Sequence, residues 1–205
     1  MLRLYKKKLP SCDKLFKEFL SPWYPEEERN EMTRPDMYVI AGYEGKPLDM
    51  DEIQYLQEDL LQEAKEYITA ITDAALQDFR NIVNANCLNL EVLDRVDRFY
   101  DRASVAQMIK QSNTEDFSNQ YLVSVCELGA TLGYLFKQSQ EFDWLYSYPY
   151  FHSIIVHKET GFGITVFDWA VKKFSEYGIE DGLAAKFQAA LDGIENYKKE
   201  NNIVA

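Results

Sequence analysis

Apolar residues recur at steps of three and four along residues 49–84, with polar residues between them. This spacing places the apolar side chains on one side of an α-helix. Either Asp49 or Asp51 can cap the first turn, where the helix dipole also favours acidic side chains. Glycine and proline are absent from residues 48–128, so one unbroken helix is possible. It would be about 50 Å long, and a break near residues 69–73 is the alternative.

Two further helices are predicted over residues 90–111 and 114–139 by the same periodicity. Ser112 and Glu115 have the spacing of a capping box, in which each side chain bonds the backbone N–H of the other residue. We therefore expect this pair to begin the later helix.

Small residues line one face of the helix predicted over residues 114–139. They are spaced at i, i+3, i+4 and i+7: Cys126, Gly129, Ala130 and Gly133. A glycine inside a helix costs about 1 kcal/mol relative to alanine, so we expect another element to pack closely here. The alternative is that this face forms the floor of a ligand groove. In either case Cys126 is expected to be a buried, unreactive thiol.

Aromatic residues dominate residues 142–151, a composition typical of strands, and Pro149 indicates a turn within this segment. In an extended strand, alternate side chains share one face. This predicts a row formed by Trp144, Tyr146, Tyr148 and Tyr150. The row is either a half-buried sheet face or a binding surface for a partner or a small ligand, because tyrosine combines an apolar body with a polar tip.

A β-hairpin is predicted from residues 151–158 and 162–167, with Glu159-Thr160-Gly161 as the turn. The only two histidines of the chain, His152 and His157, lie on its first strand. Their spacing of five residues places them on opposite faces, roughly 16 Å apart, so they cannot bind one metal ion together. We expect His157 opposite Phe162, His152 opposite Phe167, and His157 the less buried of the two. No metal site is predicted.

The remaining segments complete a prediction of an α+β protein, mainly helical. Asp168 is expected to cap a helix over residues 169–177, and a last helix spans 181–200. Residues 1–48 form an irregular arm with a short helix at 12–20, capped by Ser11, and one strand at 36–43. Residues 49–205 form one domain, with helices in 49–140, strands in 141–167 and helices in 168–200. About three long helices would pack on a small antiparallel sheet.

The charge distribution restricts the partners. The chain of 205 residues has a net charge of −12, and residues 26–127 hold 22 acidic and 9 basic side chains. Such a field repels phosphate, which argues against nucleic acid, and it attracts a basic protein; self-association is a further possibility. Three well-separated cysteines fit a reduced cytoplasm. No apolar run reaches the 18 residues of a membrane span, and surface docking through the basic residues 3–17 is a minor alternative.

Sequence motifs for enzymes are absent: there is no phosphate-binding loop, dinucleotide fingerprint, nucleophile elbow or His-Glu-x-x-His. The leading hypothesis is therefore a non-catalytic protein-binding or inhibitor module of the immunity type, without a cofactor. The alternative is a small-molecule-binding protein or hydrolase. Its site would lie between the Gly129 and Gly133 helix face and residues 142–151, with acid–base groups from Glu127, His157 and Asp168.

Overall fold

The structure combines helices with a sheet in which every strand pair is antiparallel, so the protein is α+β, as predicted. The computed structural model describes residues 8–29, 33–82 and 89–203. Within these ranges the α-helices are α1 Cys12–Leu15, α2 Met50–Ile53, α3 Glu58–Ile82, α4 Leu90–Phe99, α5 Arg102–Gln111, α6 Gln120–Lys137, α7 Val166–Lys173 and α8 Leu183–Glu200. None of the helices in these ranges has both the length and the apolar character needed to cross a bilayer.

The sheet has four strands in the order β1-β4-β3-β2, and every pair is antiparallel. The strands are β1 Met37–Val39, β2 Phe142–Leu145, β3 Ile154–His157 and β4 Phe162–Ile164. β1 comes from the N-terminal arm and forms one edge, shorter than the strand predicted at residues 36–43. His157 lies opposite Phe162, which is the register that the Glu159–Gly161 turn predicts.

The helical pattern at residues 49–84 is interrupted early. Asp49 caps α2 by accepting a hydrogen bond from the Asp51 N–H at 3.0 Å. The backbone is then extended at Gln54, and α3 begins at Glu58. The break therefore lies at residues 54–57 and not near residues 69–73. Its physical reason is tertiary, because the extended segment lets the Tyr55 hydroxyl donate to Ser147 Oγ at 2.7 Å.

The helix predicted over residues 90–111 is divided in two. α4 ends before Tyr100, whose ring is buried and packs edge-on against Phe174 at 4.8 Å between centroids. Asp101 then caps α5 by accepting from the Ser104 N–H at 2.8 Å. The aromatic contact and the new cap together account for the turn between the two helices.

The predicted capping box at Ser112 is wrong. Ser112 ends α5, and its Oγ accepts from the Tyr121 N–H at 2.9 Å. α6 begins six residues later than expected, at Gln120, because Asn119 caps it by accepting from the Leu122 N–H at 2.9 Å.

The C-terminal helices also start at residues other than those expected. α7 begins at Val166 with Thr165 as its N-cap residue, so Asp168 lies inside the first turn and does not cap the helix. α7 ends at Lys173, before Gly178, and α8 begins at Leu183 rather than residue 181.

The core is built around α6, most of whose side chains are buried. Gly129 faces the Phe167 ring of α7, and Gly133 faces the Trp144 ring of β2, so closely that an added Cβ would overlap either ring. The N-terminal arm contributes buried side chains to the same core: Leu9, Leu15, Phe16, Phe19, Leu20 and Tyr24. A smaller cluster around Ile40, Ile154 and Val156 covers the other face of the sheet.

Candidate functional site

The aromatic segment at residues 142–151 is not a single strand. β2 ends at Leu145, the Tyr148–Pro149 peptide bond is cis, and residues 150–152 form a 3-10 turn. The expected strand face is therefore wrong, because only one of its four aromatic residues, Trp144, belongs to β2. The chain must turn after β2 to reach β3, and this turn sends the later aromatic side chains in different directions.

The four aromatic residues have different surroundings. The Trp144 indole is buried between Gly133 and Phe167. Tyr150 is also buried, and its hydroxyl lies 3.3 Å from Cys126 Sγ. Tyr146 is half-buried, whereas Tyr148 is 45% exposed. Only the last two present polar tips near the surface.

Close packing fills the interface where the sequence allowed a ligand groove. Phe167 occupies the space over Gly129, and Trp144 occupies the space over Gly133. Cys126 on the same face is buried in the core, and burial raises the pKa of its thiol to about 12. The small-residue face of α6 thus contacts side chains of the protein itself.

A groove of about 510 Å³, here called the Tyr146 groove, opens beside this packed interface. Its walls are α3, the end of α6 and the end of β2, and its lining residues are Ile68, Thr69, Thr72, Asp73, Tyr134, Lys137, Gln138, Trp144 and Tyr146. A depression of about 300 Å³ shares Lys137, Trp144 and Tyr146 with it and extends toward α2. The two form one continuous concave surface.

Two aromatic residues of this surface, Tyr134 and Tyr146, are partly exposed, whereas Trp144 is buried. Tyr134 is 43% exposed on its wall, and the Trp144 and Tyr146 rings stack at 6.1 Å between centroids. Burial raises the pKa of Tyr146 to about 12, so its hydroxyl is a neutral hydrogen-bonding group at physiological pH. The Lys65 Nζ lies 5.8 Å from the centroid of the Tyr146 ring.

Further exposed aromatic residues adjoin the segment that follows Tyr146. Tyr55 contacts it through Ser147, and Tyr67 stacks on Tyr150 at 5.4 Å. Phe117 meets the edge of the same Tyr150 ring at 6.4 Å. These side chains are between 41% and 66% exposed.

Acidic side chains flank the groove along α2 and α3. Residues 50–82 include eight acidic and two basic residues. All eight carboxylates are exposed, and Asp73 lines the groove itself. Of the lysines at the groove, Lys137 is paired with Asp143 at 2.6 Å. The exposed surface of α2 and α3 beside the groove is therefore negative, and Lys65 and Lys137 lie among the lining residues of the groove and of the adjoining depression.

The three residues suggested as acid–base groups have separate partners. Glu127 is buried on α6, and burial together with Asp78 of α3 raises its pKa to about 8. Asp168 is buried on α7 and is held by Arg34, whose Nη2 lies 2.8 Å from Asp168 Oδ2. Burial raises the pKa of Asp168, and the Arg34 guanidinium opposes that rise. His157 has a third set of contacts, in the sheet.

His157 is fully buried, which corrects the expectation that it is the less buried histidine. It ends β3, and its Nδ1 lies 2.8 Å from Thr160 Oγ1. The Glu141 and Glu159 carboxylates approach it, and one ligand atom from each of the three residues lies within 4.8 Å of the others. Burial lowers the pKa of His157, and Glu141 opposes that effect.

His152 is partly exposed and precedes β3, so it does not pair with Phe167 as expected. Its ring packs on Tyr24 at 4.3 Å. Burial and the Arg34 charge lower the pKa of His152 to about 3. This histidine is a neutral packing group between the arm and the sheet.

A second cleft, of about 630 Å³, lies between α7 and α8 and contains three lysines. Lys172 and Lys186 both bind Asp36, at 2.6 and 2.8 Å, and Lys186 also lies 4.4 Å above the Trp169 ring. Lys173 binds Asp97 at 2.6 Å. Carboxylates of the protein thus balance these lysines, and the contacts join the arm and α4 to α7 and α8.

Sequence reasoning missed the partners that gather around the predicted residues. For Glu159 the sequence did indicate a position near His157, because Glu159 lies in the predicted turn two residues after it. Glu141 joins through strand pairing, since its carbonyl accepts from the Lys158 N–H at 2.9 Å. Lys198 and Arg34 had no local signal, because both reach their partners from distant parts of the chain.

Searches with this chain against protein-family models, curated proteins and solved structures found no match.

Proposed function

We propose that this protein is a non-catalytic binding module of the inhibitor or immunity type, which holds a basic protein in the Tyr146 groove. The observation that supports the proposal is the combination of the partly exposed rings of Tyr134 and Tyr146 with the excess of exposed acidic side chains along α2 and α3. The separate surroundings of Glu127, His157 and Asp168 agree with a role that does not involve catalysis. The free thiols of Cys12 and Cys126 suit the reduced cytoplasm.

The aromatic part of the groove supplies the contact area for such a partner. Tyrosine and tryptophan are enriched at protein interfaces because they bury a large apolar area with few rotatable bonds. Tyr134 and Tyr146 present this kind of surface from two different elements, α6 and the end of β2. A concave site with anchors on separate elements favours a protruding segment of the partner over a flat contact.

The acidic side chains of α2 and α3 select the charge of that segment. Complementary charge mainly increases the rate of association and excludes partners of the wrong sign. A lysine or arginine of the partner could also lie over an aromatic ring. Within the protein, Lys65 already places an ammonium near the Tyr146 ring, so the ring face is compatible with a cation.

The experiment is photo-crosslinking in the native cell, with a crosslinking amino acid replacing Tyr134. A matched control places it at Tyr177, which is 79% exposed and lines the other cleft. We expect Tyr134 to capture a basic protein that Tyr177 does not capture. Equal capture from both positions, or capture of an acidic protein, would contradict the proposal.

Binding of the purified captured protein then tests the charge argument. Asp73→Lys should weaken binding at least tenfold, whereas Asp192→Lys on exposed α8 should change it less than twofold. Raising the salt from 50 to 500 mM should weaken binding by at least tenfold, because exposed charges are screened. Affinity that does not depend on salt would contradict the capture of a basic partner by exposed charges.

A further inference from the structure

Glu141, His157 and Glu159 converge at one end of the sheet, on the side opposite to the strand ends that lead toward the Tyr146 groove. Glu141 immediately precedes β2, His157 ends β3, and Glu159 lies in the turn between β3 and β4. Strand pairing fixes this arrangement, because Phe142 lies directly opposite His157. One donor atom from each residue lies within 4.8 Å of the other two.

The imidazole of His157 is oriented as a metal-binding histidine usually is. Its Nδ1 is hydrogen-bonded to Thr160 Oγ1 at 2.8 Å, and the Thr160 side chain is itself buried. In metal sites, a hydrogen bond at the ring nitrogen that does not bind the metal fixes the orientation of the imidazole. Here the hydrogen bond at Nδ1 leaves Nε2 to face a ligand.

The other ring nitrogen of His157 has no hydrogen-bond partner among the described residues, although the side chain is only 1% exposed. Nε2 points toward Glu141 Oε2 at 3.8 Å, which is too long for a hydrogen bond. Leaving a buried polar atom without a partner costs about 1–3 kcal/mol. In the tautomer in which Nδ1–H donates to Thr160 Oγ1, the lone pair of Nε2 faces the carboxylates, which is unfavourable unless a cation lies between them.

The Lys198 side chain places a positive charge beside the two carboxylates. The Lys198 Nζ lies 3.1 Å from Glu141 and 2.8 Å from Glu159, and it also approaches Glu195 at 3.7 Å. Lys198 belongs to the last turn of α8, and its long side chain could rotate outward without moving the sheet. The ammonium neutralises the carboxylates but gives no hydrogen bond to His157 Nε2.

We propose that Glu141, His157 and Glu159 form a binding site for a divalent transition-metal ion of the zinc class, which exchanges with the Lys198 ammonium. An imidazole nitrogen and two carboxylates form a ligand set that Zn²⁺ and related ions accept, whereas Mg²⁺ and Ca²⁺ prefer oxygen ligands alone. The Glu141 side chain is 42% exposed, which gives the ion a path from solvent. Lys198 competes with the metal and therefore sets its affinity.

The test is titration of the full chain, without an affinity tag, with Zn²⁺ and with Co²⁺ by calorimetry and absorption. We expect one Zn²⁺ per chain, and visible Co²⁺ absorption bands that change when His157 is replaced by glutamine. Lys198→Met should bind Zn²⁺ at least tenfold more tightly than the natural protein, whereas Lys199→Met, at the exposed neighbouring position, should bind as the natural protein does. Mg²⁺ should not compete at equal concentration.

His157→Gln should bind Zn²⁺ at least tenfold more weakly, and His152→Gln, which changes the only other histidine, should bind normally. Circular dichroism and thermal unfolding of each variant show whether it is folded. If His157→Gln does not fold, Glu159→Gln provides the same test. The proposal is wrong if the natural protein takes up no Zn²⁺ at 100 µM, if the ligand variants bind as well as the natural protein, or if Lys198→Met binds no more tightly.

Discussion

At the scale of single residues, two glycines in helices have opposite requirements. An added Cβ at Gly133 would overlap the Trp144 indole, whereas at Gly193 on α8 nothing lies within 4 Å. The first glycine is needed for packing, and the second only lowers helix propensity. The same residue type therefore has different consequences at the two positions, and only Gly133 belongs to the row of small residues that predicted close packing.

Gly133→Ala should destabilise the protein by about 1–3 kcal/mol, because overpacking of a rigid core exceeds the gain in helix propensity. Gly193→Ala should leave the stability unchanged or raise it by up to about 1 kcal/mol. Urea unfolding of both variants measures the difference. Equal effects at the two positions would contradict the packing that we describe around α6.

Glu127 makes stability depend on pH. Its pKa is raised from 4.5 to about 8 in the folded protein. Between these values the folded protein retains a proton that the unfolded chain has released, so the free energy of unfolding falls as pH rises from about 5 to 8. Glu127→Gln should not lose stability in this way. Relative to the natural protein, its free energy of unfolding should therefore increase as pH rises.

Urea unfolding at pH 5, 7 and 8.5 measures this change. Glu58→Gln, which removes an exposed carboxylate from α3, controls for the change in net charge. If both variants show the same pH dependence of the free energy of unfolding, the raised pKa of Glu127 does not cause that dependence.

At the scale of elements, the sequence predicted helices better than their ends. The helices α3, α4, α5 and α6 lie where apolar periodicity placed helical segments, although the segment predicted over residues 90–111 is divided into α4 and α5. The boundaries of these helices depend on which polar side chain accepts a hydrogen bond from the free backbone N–H groups at the start of each helix. Asp101 and Asn119 both cap helices, whereas Ser112 links the end of α5 to the start of α6. Only the folded structure shows that the Ser112 hydroxyl accepts from the Tyr121 N–H and does not form a capping box with Glu115.

The strands illustrate the same limit. Gly161 has a positive φ of 65° in the turn between β3 and β4, as the hairpin signal requires. The aromatic segment instead leaves the sheet after Leu145, because the chain must turn to begin β3. Pro149 indicates a turn in this segment, but the alternation of aromatic residues does not show that the strand already ends at Leu145.

At the scale of the whole molecule, the N-terminal arm is part of the structure. Arm residues contribute to the same core as α6, and β1 pairs with β4. Arg34 binds the buried Asp168, and Asp36 binds two lysines of α7 and α8. The arm is therefore joined to the rest of the protein by apolar, hydrogen-bonded and ionic contacts.

A chain that begins at residue 49 should not unfold cooperatively, because it would expose the core and leave Asp168 buried without its partner. Loss of one member of a buried ion pair alone costs about 3–5 kcal/mol. Thermal unfolding followed by circular dichroism tests this expectation. A sharp transition at the temperature of the full chain would show that residues 49–205 fold without the arm.

The sequence alone determined the α+β class, the approximate positions of the long helices, the close packing expected at Gly129 and Gly133, and the negative charge of α2 and α3. These features follow from local periodicity and composition. Tertiary structure decided which side chains lie together: Tyr134 and Tyr146 line one groove, Arg34 binds Asp168, and Lys198 binds the carboxylates beside His157. Such arrangements depend on how elements that are distant along the chain pack together. The spacing of residues along the sequence does not give the distance between those elements in space.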